Sequence, residues 1–356
     1  GTPPYSYSIS SGNGSIVSNT GVYTAPSTLG TTVISVTDLN GNSDSASIDI
    51  FVPQSISMGT NHTCILDFSD LTTSSTRCFG RLGFDTSTRG MLGSYPYYYV
   101  GDVASELGDN LSSIDVGDGL SAKYVRTSRY ITCVVLTDNR IKCFGNNGNG
   151  ALLIGNNTSK GYIKGHMGNN LEISDLGVGR TINSVLPIED VLSLNNHSVC
   201  AILDNNTLKC WGYGGYGKLG LGNAQTMGNS VDEVGDNLPA VNLGAEIPVK
   251  VSVGAQHTGV LTASNRIKCW GRGNYGQTGL GTPNNMGDSA GETPDQLSFL
   301  NLGTGRTATD VCSGYYHSCA VLDDSSVKCW GRNSYGELGH EVTTQNIGND
   351  AVEMGD

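Results

Sequence analysis

Short apolar runs alternate with polar, glycine-rich turns along most of the chain, and the clearest example lies near its C-terminus. Residues 317–331 read His-Ser-Cys-Ala-Val-Leu-Asp-Asp-Ser-Ser-Val-Lys-Cys-Trp-Gly, so apolar and polar positions alternate on both sides of a polar turn. This pattern predicts a β-hairpin whose turn is centred near Asp324. Glycines at positions 331, 336 and 339 then predict turns after the second strand.

The same unit recurs five times from residue 55 onward. Each unit has a cysteine followed by an aromatic residue and a glycine, and these cysteines recur every 59 to 67 residues, at Cys78, Cys143, Cys210, Cys269 and Cys329. A period of this size is typical of a solenoid or a propeller, and short strands with glycine-rich turns favour an all-β fold. We predict units at residues 55–118, 119–182, 183–247, 248–306 and 307–356, the last of them incomplete.

Most units carry a second cysteine, which the predicted hairpin places opposite the first. Opposed residues of an antiparallel pair lie close enough for a disulfide after a small local closure. We therefore predict the disulfides Cys64–Cys78, Cys133–Cys143, Cys200–Cys210 and Cys319–Cys329. Cys269 and Cys312 are left over, and the sequence leaves open whether they pair with each other. No zinc-type spacing is present, so the cysteines predict an oxidising compartment.

Residues 1–53 differ from the rest of the chain in composition, because they contain no cysteine, tryptophan or histidine. Two stretches at residues 32–38 and 45–52 alternate with period two around a polar turn, which predicts a hairpin. Polar residues alternate across that turn as in a calcium loop, but the glycine and glutamate of an EF-hand are missing, so we favour a solvated turn. The change of composition at Pro53 and Gln54 predicts a domain boundary.

Composition narrows the class of partner. The chain has 50 glycines in 356 residues, 15% charged residues and a formal charge of −12. A net negative charge disfavours nucleic acid and anionic lipid as partners of this protein. No apolar run reaches the ~18 residues that a membrane-spanning helix needs, so no membrane insertion is expected.

The string Gly-x-x-His-Ser-Cys-Ala-Val-Leu, followed by Val-Lys-Cys-Trp-Gly-Arg-Asn-x-Tyr-Gly-x-Leu-Gly, spans residues 314–339. It resembles the repeat of the regulator of chromosome condensation superfamily, and its paired cysteines resemble secreted bacterial members. The resemblance implies a seven-bladed β-propeller with one four-stranded blade per repeat. The chain departs from the repeat at Ile131, which replaces the histidine, and by one extra residue between His197 and Cys200. Because five units fall short of seven, we expect a segment of a longer chain with about two more units after Asp356.

The N-terminal strings at residues 2–9, 21–26 and 36–42 resemble the immunoglobulin-like modules of bacterial surface proteins. The resemblance implies that residues 1–53 form part of a β-sandwich and that residues 54–356 form the propeller.

Histidine and tryptophan recur at fixed positions of the repeat. A metal ring is one interpretation of His62, His197, His257 and His317, but no carboxylate recurs beside them, so we favour histidines that fix turns by hydrogen bonds. Trp211, Trp270 and Trp330 are interpreted as packing between blades. These residues are therefore predicted to be structural, and no metal or cofactor is expected.

No catalytic motif is present: the sequence lacks a Gly-x-Ser-x-Gly elbow, a Walker loop and a His-Glu-x-x-His pair. We expect a non-enzymatic, secreted or cell-surface adhesion module that presents a propeller face to a protein or glycan, beside neighbouring modules. The alternatives are a structural spacer or fibre component and a secreted enzyme inhibitor. Nucleotide exchange on a small GTPase rests on fold analogy alone and is disfavoured by the disulfides and the acidity.

A tyrosine cluster in unit one is the candidate ligand site. Four tyrosines stand within five positions, at Tyr95, Tyr97, Tyr98 and Tyr99, and no other unit matches them. Tyrosine offers rigid amphipathic area and stacks on sugar faces, which favours recognition. The competing interpretation is that these rings pack over the domain junction or a blade edge.

Overall fold

The computed structural model describes residues 1–24, 30–50, 55–68, 74–81, 99–106, 110–195, 197–341 and 345–356. These residues form 21 β-strands in seven small antiparallel sheets. Helical structure in the described residues is limited to one α-helical turn, α1 (Ile188–Val191), and to 3₁₀ turns at Ala104–Glu106, Lys164–His166, Gly168–Asn170, Gly215–Gly217, Val231–Glu233 and Gly235–Asn237. The fold is therefore all-β, as the sequence predicts.

The N-terminal residues form two sheets. Their strands are β1 (Ser6–Ser11), β2 (Ser15–Ile16), β3 (Tyr23–Thr24), β4 (Gly30–Thr37) and β5 (Ser43–Ile50), paired as β1-β4-β5 and β2-β3. The predicted hairpin is the β4–β5 pair. The carboxylate of Asp38 accepts hydrogen bonds from the side-chain amide of Asn42 and from the backbone amides of Thr2, Asn42 and Asn40. These bonds, and the Asn42 side chain most of all, lower the pKa of Asp38 to about 2. The Asp38 side chain therefore fixes this turn. The assignment of residues 1–53 to an immunoglobulin-like module stays a prediction.

Each of the five repeat units contributes one antiparallel sheet. The strands are β6 (Ser55–Met58), β7 (His62–Phe68), β8 (Ser74–Arg81) and β9 (Tyr99–Val100) in unit one, β10 (Ala122–Thr127), β11 (Ile131–Leu136) and β12 (Ile141–Gly145) in unit two, β13 (Leu192–Asn195), β14 (Ser198–Ile202) and β15 (Leu208–Gly212) in unit three, β16 (Pro248–Val253), β17 (His257–Thr262) and β18 (Ile267–Gly271) in unit four, and β19 (Ala308–Ser313), β20 (His317–Leu322) and β21 (Val327–Gly331) in unit five. In units two to five a single bridge stands where β9 pairs in unit one, for example between Gly271 and Met286. The expected fourth strand is thus reduced to a bridge because the segment that follows is mostly turns.

The hairpin register places the paired cysteines opposite each other. Disulfides join Cys64–Cys78, Cys133–Cys143, Cys200–Cys210 and Cys319–Cys329, with Cα–Cα distances of 4.0 to 4.1 Å. The two remaining cysteines are free thiols, so the pairing that the sequence left open is not formed. Cys269 is buried opposite Gly259, and Cys312 is exposed on β19 opposite Cys319. Cys269 and Cys312 lie on β18 and β19, which belong to different sheets and do not pair.

The tryptophans link each unit to the one before it. The indole Nε1 donates to a backbone carbonyl of the preceding unit in three cases: Trp211 to Ala151 (3.0 Å), Trp270 to Lys218 (3.0 Å) and Trp330 to Gln277 (3.0 Å). All three side chains are fully buried in the hydrophobic core between units. A buried indole N–H needs such an acceptor, and the carbonyl of the preceding loop supplies it.

The lysine of the Lys-Cys-aromatic-Gly motif holds the turn-rich tails of the units. Its Nζ donates to two backbone carbonyls in each of four units: Lys142 to Val116 and Gly168, Lys209 to Leu176 and Gly235, Lys268 to Pro294 and Leu297, and Lys328 to Leu302 and Gly355. In three units the two carbonyls belong to successive tails, so one lysine joins neighbouring units. Carbonyl acceptors compensate in part for burying the ammonium group.

Candidate functional site

The loops between the first and second strands of the repeat units converge at one end of the sheets. One cleft of about 430 Å³ is lined by residues of units one, two, three and five, including Met58, Thr127, Leu194 and Tyr315. A second cleft of about 300 Å³ is lined by units two to five. Tyr315 contributes to both clefts, so these loops surround a common concave region. Loops held on packed sheets are the usual carriers of binding residues.

Tyrosine and arginine side chains dominate this end of the sheets. They come from the loop before the second strand and from the turn after the third strand, and we call them the Tyr/Arg face: Arg129, Tyr130, Tyr213, Tyr216, Arg272, Tyr275, Tyr315, Tyr316, Arg332 and Tyr335. The two segments are tied by backbone hydrogen bonds, such as Arg272 N to Gln256 O and Arg332 N to Tyr316 O. The sheets therefore fix the backbone that carries these side chains.

Several of these side chains stack into a continuous row. The guanidinium of Arg272 lies 5.0 Å from the ring centroid of Tyr216 and 5.5 Å from that of Tyr275. Tyr275 meets Tyr316 edge-on with 5.4 Å between centroids. Arg332 continues the row over Tyr316 at 4.7 Å and over Tyr335 at 5.1 Å. Stacking of cations on rings pre-organises both groups for binding.

The Tyr/Arg face is locally basic in an acidic protein. Arg332 pairs with Glu337 (2.7 Å), whereas among the described residues neither Arg129 nor Arg272 has an ion-pair partner. At the opposite end, where second strands turn into third strands, the arginines are neutralised locally in the pairs Arg140–Asp138, Arg180–Asp204, Arg266–Glu246 and Arg306–Asp323. The two ends therefore differ in charge although they belong to the same repeats.

Two of the four predicted repeat histidines connect neighbouring units. The His62 Nε2 lies 2.9 Å from Thr132 Oγ1, and the His257 Nε2 lies 2.8 Å from Ser318 Oγ. These bonds join one unit to the next instead of closing the turn of their own unit. The glycine of Gly-x-x-His is needed because the ring packs on it: a Cβ at Gly254 would lie 2.3 Å from His257 Cε1. Burial lowers the pKa of His62 to about 4 and that of His257 to about 3.

His197 does not occupy the structural position that the sequence assigned to it. Ser198 pairs with Gly212 as His257 pairs with Gly271, so the extra residue of unit three moves the histidine one place earlier. His197 therefore stands where Tyr130, Gln256 and Tyr316 stand in other units, on the Tyr/Arg face. Its ring stacks on Tyr130 with 4.6 Å between centroids. The register therefore places His197 one position before the repeat histidine, and its structural role stays a prediction.

The tyrosine cluster of unit one cannot be compared with this face. Tyr95, Tyr97 and Tyr98 lie outside the described residues, and Tyr99 begins β9 with a side chain outside them. Their role in binding stays a prediction. Within the described part of the chain no group of three or more histidine, cysteine or acidic side chains is arranged to hold a metal ion.

The Tyr/Arg face is hard to recognise in the sequence because its residues are far apart along the chain. A signal is nevertheless present in the turn after each third strand. Gly-Arg-x-x-Tyr occurs at residues 271–275 and 331–335, and Gly-Tyr-x-x-Tyr at 212–216. Taken one at a time, these strings indicate only repeat turns. Their side chains become a surface because the repeats bring equivalent positions to the same end.

Fold and surface together define a class: a repeat protein of antiparallel sheets in which equivalent loops form one face. Comparisons with known proteins also find repeats in this chain. Models of the regulator of chromosome condensation (RCC1) repeat match residues 249–277 and 308–337, and residues 266–321. These matches lie within units four and five of this chain.

Two solved structures share the fold. Prp20p from Saccharomyces cerevisiae aligns with a TM-score of 0.59 at 13% identity, covering 88% of this chain and 73% of that one. Human WBSCR16 aligns with a TM-score of 0.54 at 14% identity, covering 81% and 64%. The Prp20p study describes its binding properties to Gsp1p and histones. At these identities the likeness concerns the fold alone.

Among curated relatives, the probable E3 ubiquitin-protein ligase HERC4 of Homo sapiens is 30% identical over 171 residues, which are 48% of this chain and 15% of the relative. The E3 ubiquitin-protein ligase HERC2 of Homo sapiens is 31% identical over 142 residues, 40% of this chain and 3% of the relative. The matches thus span a small part of each ligase. Within the described residues no helix is long and apolar enough to cross a membrane.

Proposed function

We propose that this chain is a non-enzymatic, secreted or cell-surface binding module that holds a partner protein against the Tyr/Arg face. The row of stacked tyrosine and arginine side chains carries the proposal. Tyrosine and arginine are enriched among the residues that dominate binding energy at protein interfaces. Side chains on loops fixed by sheets lose little conformational entropy on binding, which favours affinity.

Two further observations support the proposal. Prp20p, which shares the fold, is described as a binder of other proteins, so protein binding is compatible with this architecture. Four disulfides favour an oxidising compartment, and the extracellular space is one. A secreted enzyme inhibitor would be one form of such a binder.

The experiment is a peptide-display selection on the immobilised chain, followed by measurement of Kd for the selected peptides. A variant with Arg129→Ala, Tyr315→Ala and Tyr335→Ala removes three side chains that are exposed on the face. We expect its affinity for the peptides to fall about tenfold or more, since face side chains of these types cost over 1 kcal/mol each when they are hot spots.

The matched control removes three cationic or polar side chains from the opposite end, with Arg140→Ala, Arg180→Ala and Thr207→Ala. This control should keep its affinity, and both variants should keep the melting temperature within a few degrees because the altered side chains are exposed or partly exposed. Peptides that bind both variants as tightly as the original chain would contradict the proposal. A selection that yields no binder, with glycans retained on an array instead, would also contradict it.

A further inference from the structure

We infer that the smaller cleft on the Tyr/Arg face is a carboxylate site, which takes an aspartate or glutamate side chain of the partner protein. The inference rests on the proposed function and names the chemistry of the partner. The cleft of about 300 Å³ lies between units two, three and four, with Tyr315 of unit five at its rim.

Three groups that can carry positive charge converge there without a carboxylate. The cleft is lined by Arg129, Tyr130, His197, Ser198, Tyr213, Lys218, Ala255, Gln256 and Tyr315, and no aspartate or glutamate is among these residues. Arg129, His197 and Lys218 come from three different loops, so the tertiary structure alone brings them together. Gln256 and the two exposed tyrosines add neutral hydrogen-bond donors. A carboxylate accepts such donors and balances the charge.

Lys218 is the most informative of the three. It is only 1% exposed, and its Nζ donates to the carbonyls of Gly254 (3.2 Å) and Ala255 (2.9 Å). Among the described residues it has no carboxylate partner. Burial lowers the pKa of Lys218 to about 7. A buried ammonium without a counter-ion costs stability, and an anion bound in the cleft would supply that counter-ion.

The fold does not need a lysine at this position. Alanine, glutamine and glutamate stand at the equivalent places of other units, at Ala151, Gln277 and Glu337. What the fold uses is the backbone carbonyl, which accepts from Trp270 Nε1 and from Thr258 Oγ1. The long cationic side chain is therefore additional to the repeat, and a role in binding accounts for it.

His197 reaches the cleft only because of the extra residue in unit three. Its Nδ1 is buried and has no hydrogen-bond partner among the described residues. Burial lowers the pKa of His197, and the charges of Lys218 and Arg129 lower it further. The same two charges that disfavour protonation of this ring favour an anion beside it.

An acidic side chain of a protein fits better than the other anions. Nucleic acid carries a continuous line of charge, which the overall charge of −12 would repel. Phosphorylated side chains are a feature of cytoplasmic signalling, whereas the disulfides favour an oxidising compartment. A single glutamate or aspartate on a protruding loop delivers one negative charge to one small cleft, and the surrounding tyrosines contact the rest of that loop.

The test uses the tightest peptide from the display selection that contains an acidic residue, together with versions in which that residue is replaced by glutamine or phosphoserine. The original chain should bind the glutamate peptide about tenfold or more tightly than the glutamine peptide. Lys218→Gln and Arg129→Gln should each remove most of this preference, because affinity for the glutamate peptide should fall more than affinity for the glutamine peptide. Lys218→Gln should fold because unit four has Gln277 at the equivalent position. Arg129→Gln should fold because the Arg129 side chain is exposed.

Affinity for the glutamate peptide should also depend on pH through Lys218. The other titratable groups that line the cleft with Lys218 are Arg129, Tyr130, His197, Tyr213 and Tyr315, and the charge of Lys218 also acts on His257. Below a pKa of about 7 the lysine is charged and attracts the carboxylate, and above it the attraction fades. Affinity should therefore fall as pH rises from about 6 to about 8.5, and Lys218→Gln should flatten this dependence.

Several results would overturn the inference. Equal binding of the glutamate and glutamine peptides, with loss of both in the triple variant of the Tyr/Arg face, would end the carboxylate site and leave the proposed function standing. Tighter binding of the phosphoserine peptide would assign the cleft to phosphate. Full competition by free glutarate at the Kd of the peptide would indicate a small-molecule site. Indifference of all peptides to the triple variant would contradict both the inference and the proposed function.

Discussion

Units three and four form the same hairpin, one with a disulfide across it and the other without. Unit three closes it with Cys200–Cys210, whereas unit four has Gly259 opposite the buried thiol of Cys269. The strand register is nevertheless the same, since Ser198 pairs with Gly212 and His257 pairs with Gly271. The disulfide therefore adds to a hairpin geometry that packing and hydrogen bonds already specify.

The two units differ in a second respect at the start of the second strand. Unit four places His257 there, bonded to the hydroxyl of Ser318 in unit five. Unit three places Ser198 there, and its hydroxyl donates to the carbonyl of Tyr213 in its own unit (2.8 Å). Unit three thus loses the side-chain link to the next unit but gains His197 on the Tyr/Arg face. One inserted residue has removed this histidine contact between units and placed a histidine on the Tyr/Arg face.

Acidification is expected to have the largest effect on stability, and the loss should differ between the units. In the unfolded chain a histidine has a pKa of about 6.5, whereas in the folded protein His62 and His257 have pKa values of about 4 and about 3. The unfolded state therefore binds protons first as pH falls, and stability that is full above pH 6.5 declines progressively below it. Each histidine should cost about 3 kcal/mol by pH 4, because each tenfold difference in proton affinity between the folded and unfolded states corresponds to about 1.4 kcal/mol.

Hydrogen exchange at pH 7 and pH 4.5 measures this effect unit by unit. Amides of units one and four should lose protection more than those of unit three, which has serine at the position. His257→Gln should reduce the dependence of melting temperature on pH. Equal loss of protection in all units would show that other groups govern acid stability.

Lys209→Met should strongly destabilise the folded protein. The change removes both donors to the carbonyls of Leu176 and Gly235, which belong to successive tails. Leaving buried carbonyls without partners costs about 1–3 kcal/mol each, so the free energy of unfolding should fall by about 3 kcal/mol. Denaturant titration measures this loss.

Lys268→Met is the matched control, because its two acceptors, Pro294 and Leu297, both lie in the tail of unit four. The loss of stability should be similar, but increased exchange should stay within unit four. For Lys209→Met, exchange should increase in units two and three together. Exchange confined to one unit in both variants would contradict a lysine link between tails.

Removing the disulfide of unit three should have a moderate effect. The pair Cys200→Ala with Cys210→Ala opens a loop of sequence separation 10, for which loop entropy gives about 2–3 kcal/mol of lost stability. The register should persist, as it does in unit four, so affinity at the Tyr/Arg face should not change. Loss of binding in parallel with stability would show that the face depends on this bond.

The converse change, Gly259→Cys, should install a disulfide in unit four. A Cβ at Gly259 would lie 3.3 Å from Cys269 Sγ, within reach of a new sulfur atom, although Val311 and Ser313 of unit five are also close. We expect a gain of up to about 2 kcal/mol, reduced by this crowding. Thiol titration of the denatured, unreduced protein should then find Cys312 alone free in place of Cys269 and Cys312. Persistence of both thiols together with a third would mean that the bond does not form.

The sequence by itself determined the repeat, the hairpins and the cysteine pairs. These features are local: alternation over a few residues defines a strand, and a turn of fixed length sets which residues face each other. Trp330 and Cys329 were recognisable for the same reason, since they recur at one position of the hairpin. The N-terminal hairpin around Asp38 followed from period-two alternation and a polar turn.

Only the tertiary structure decided which side chains meet across units. The ammonium of Lys209 is buried between two tails because those tails fold over it. His197 reads as the repeat histidine, and only strand pairing shows that Ser198 has taken that position. Arg129 and Lys218 are 89 positions apart yet line one cleft. Contacts between units depend on how sheets stack, and no local pattern encodes that distance.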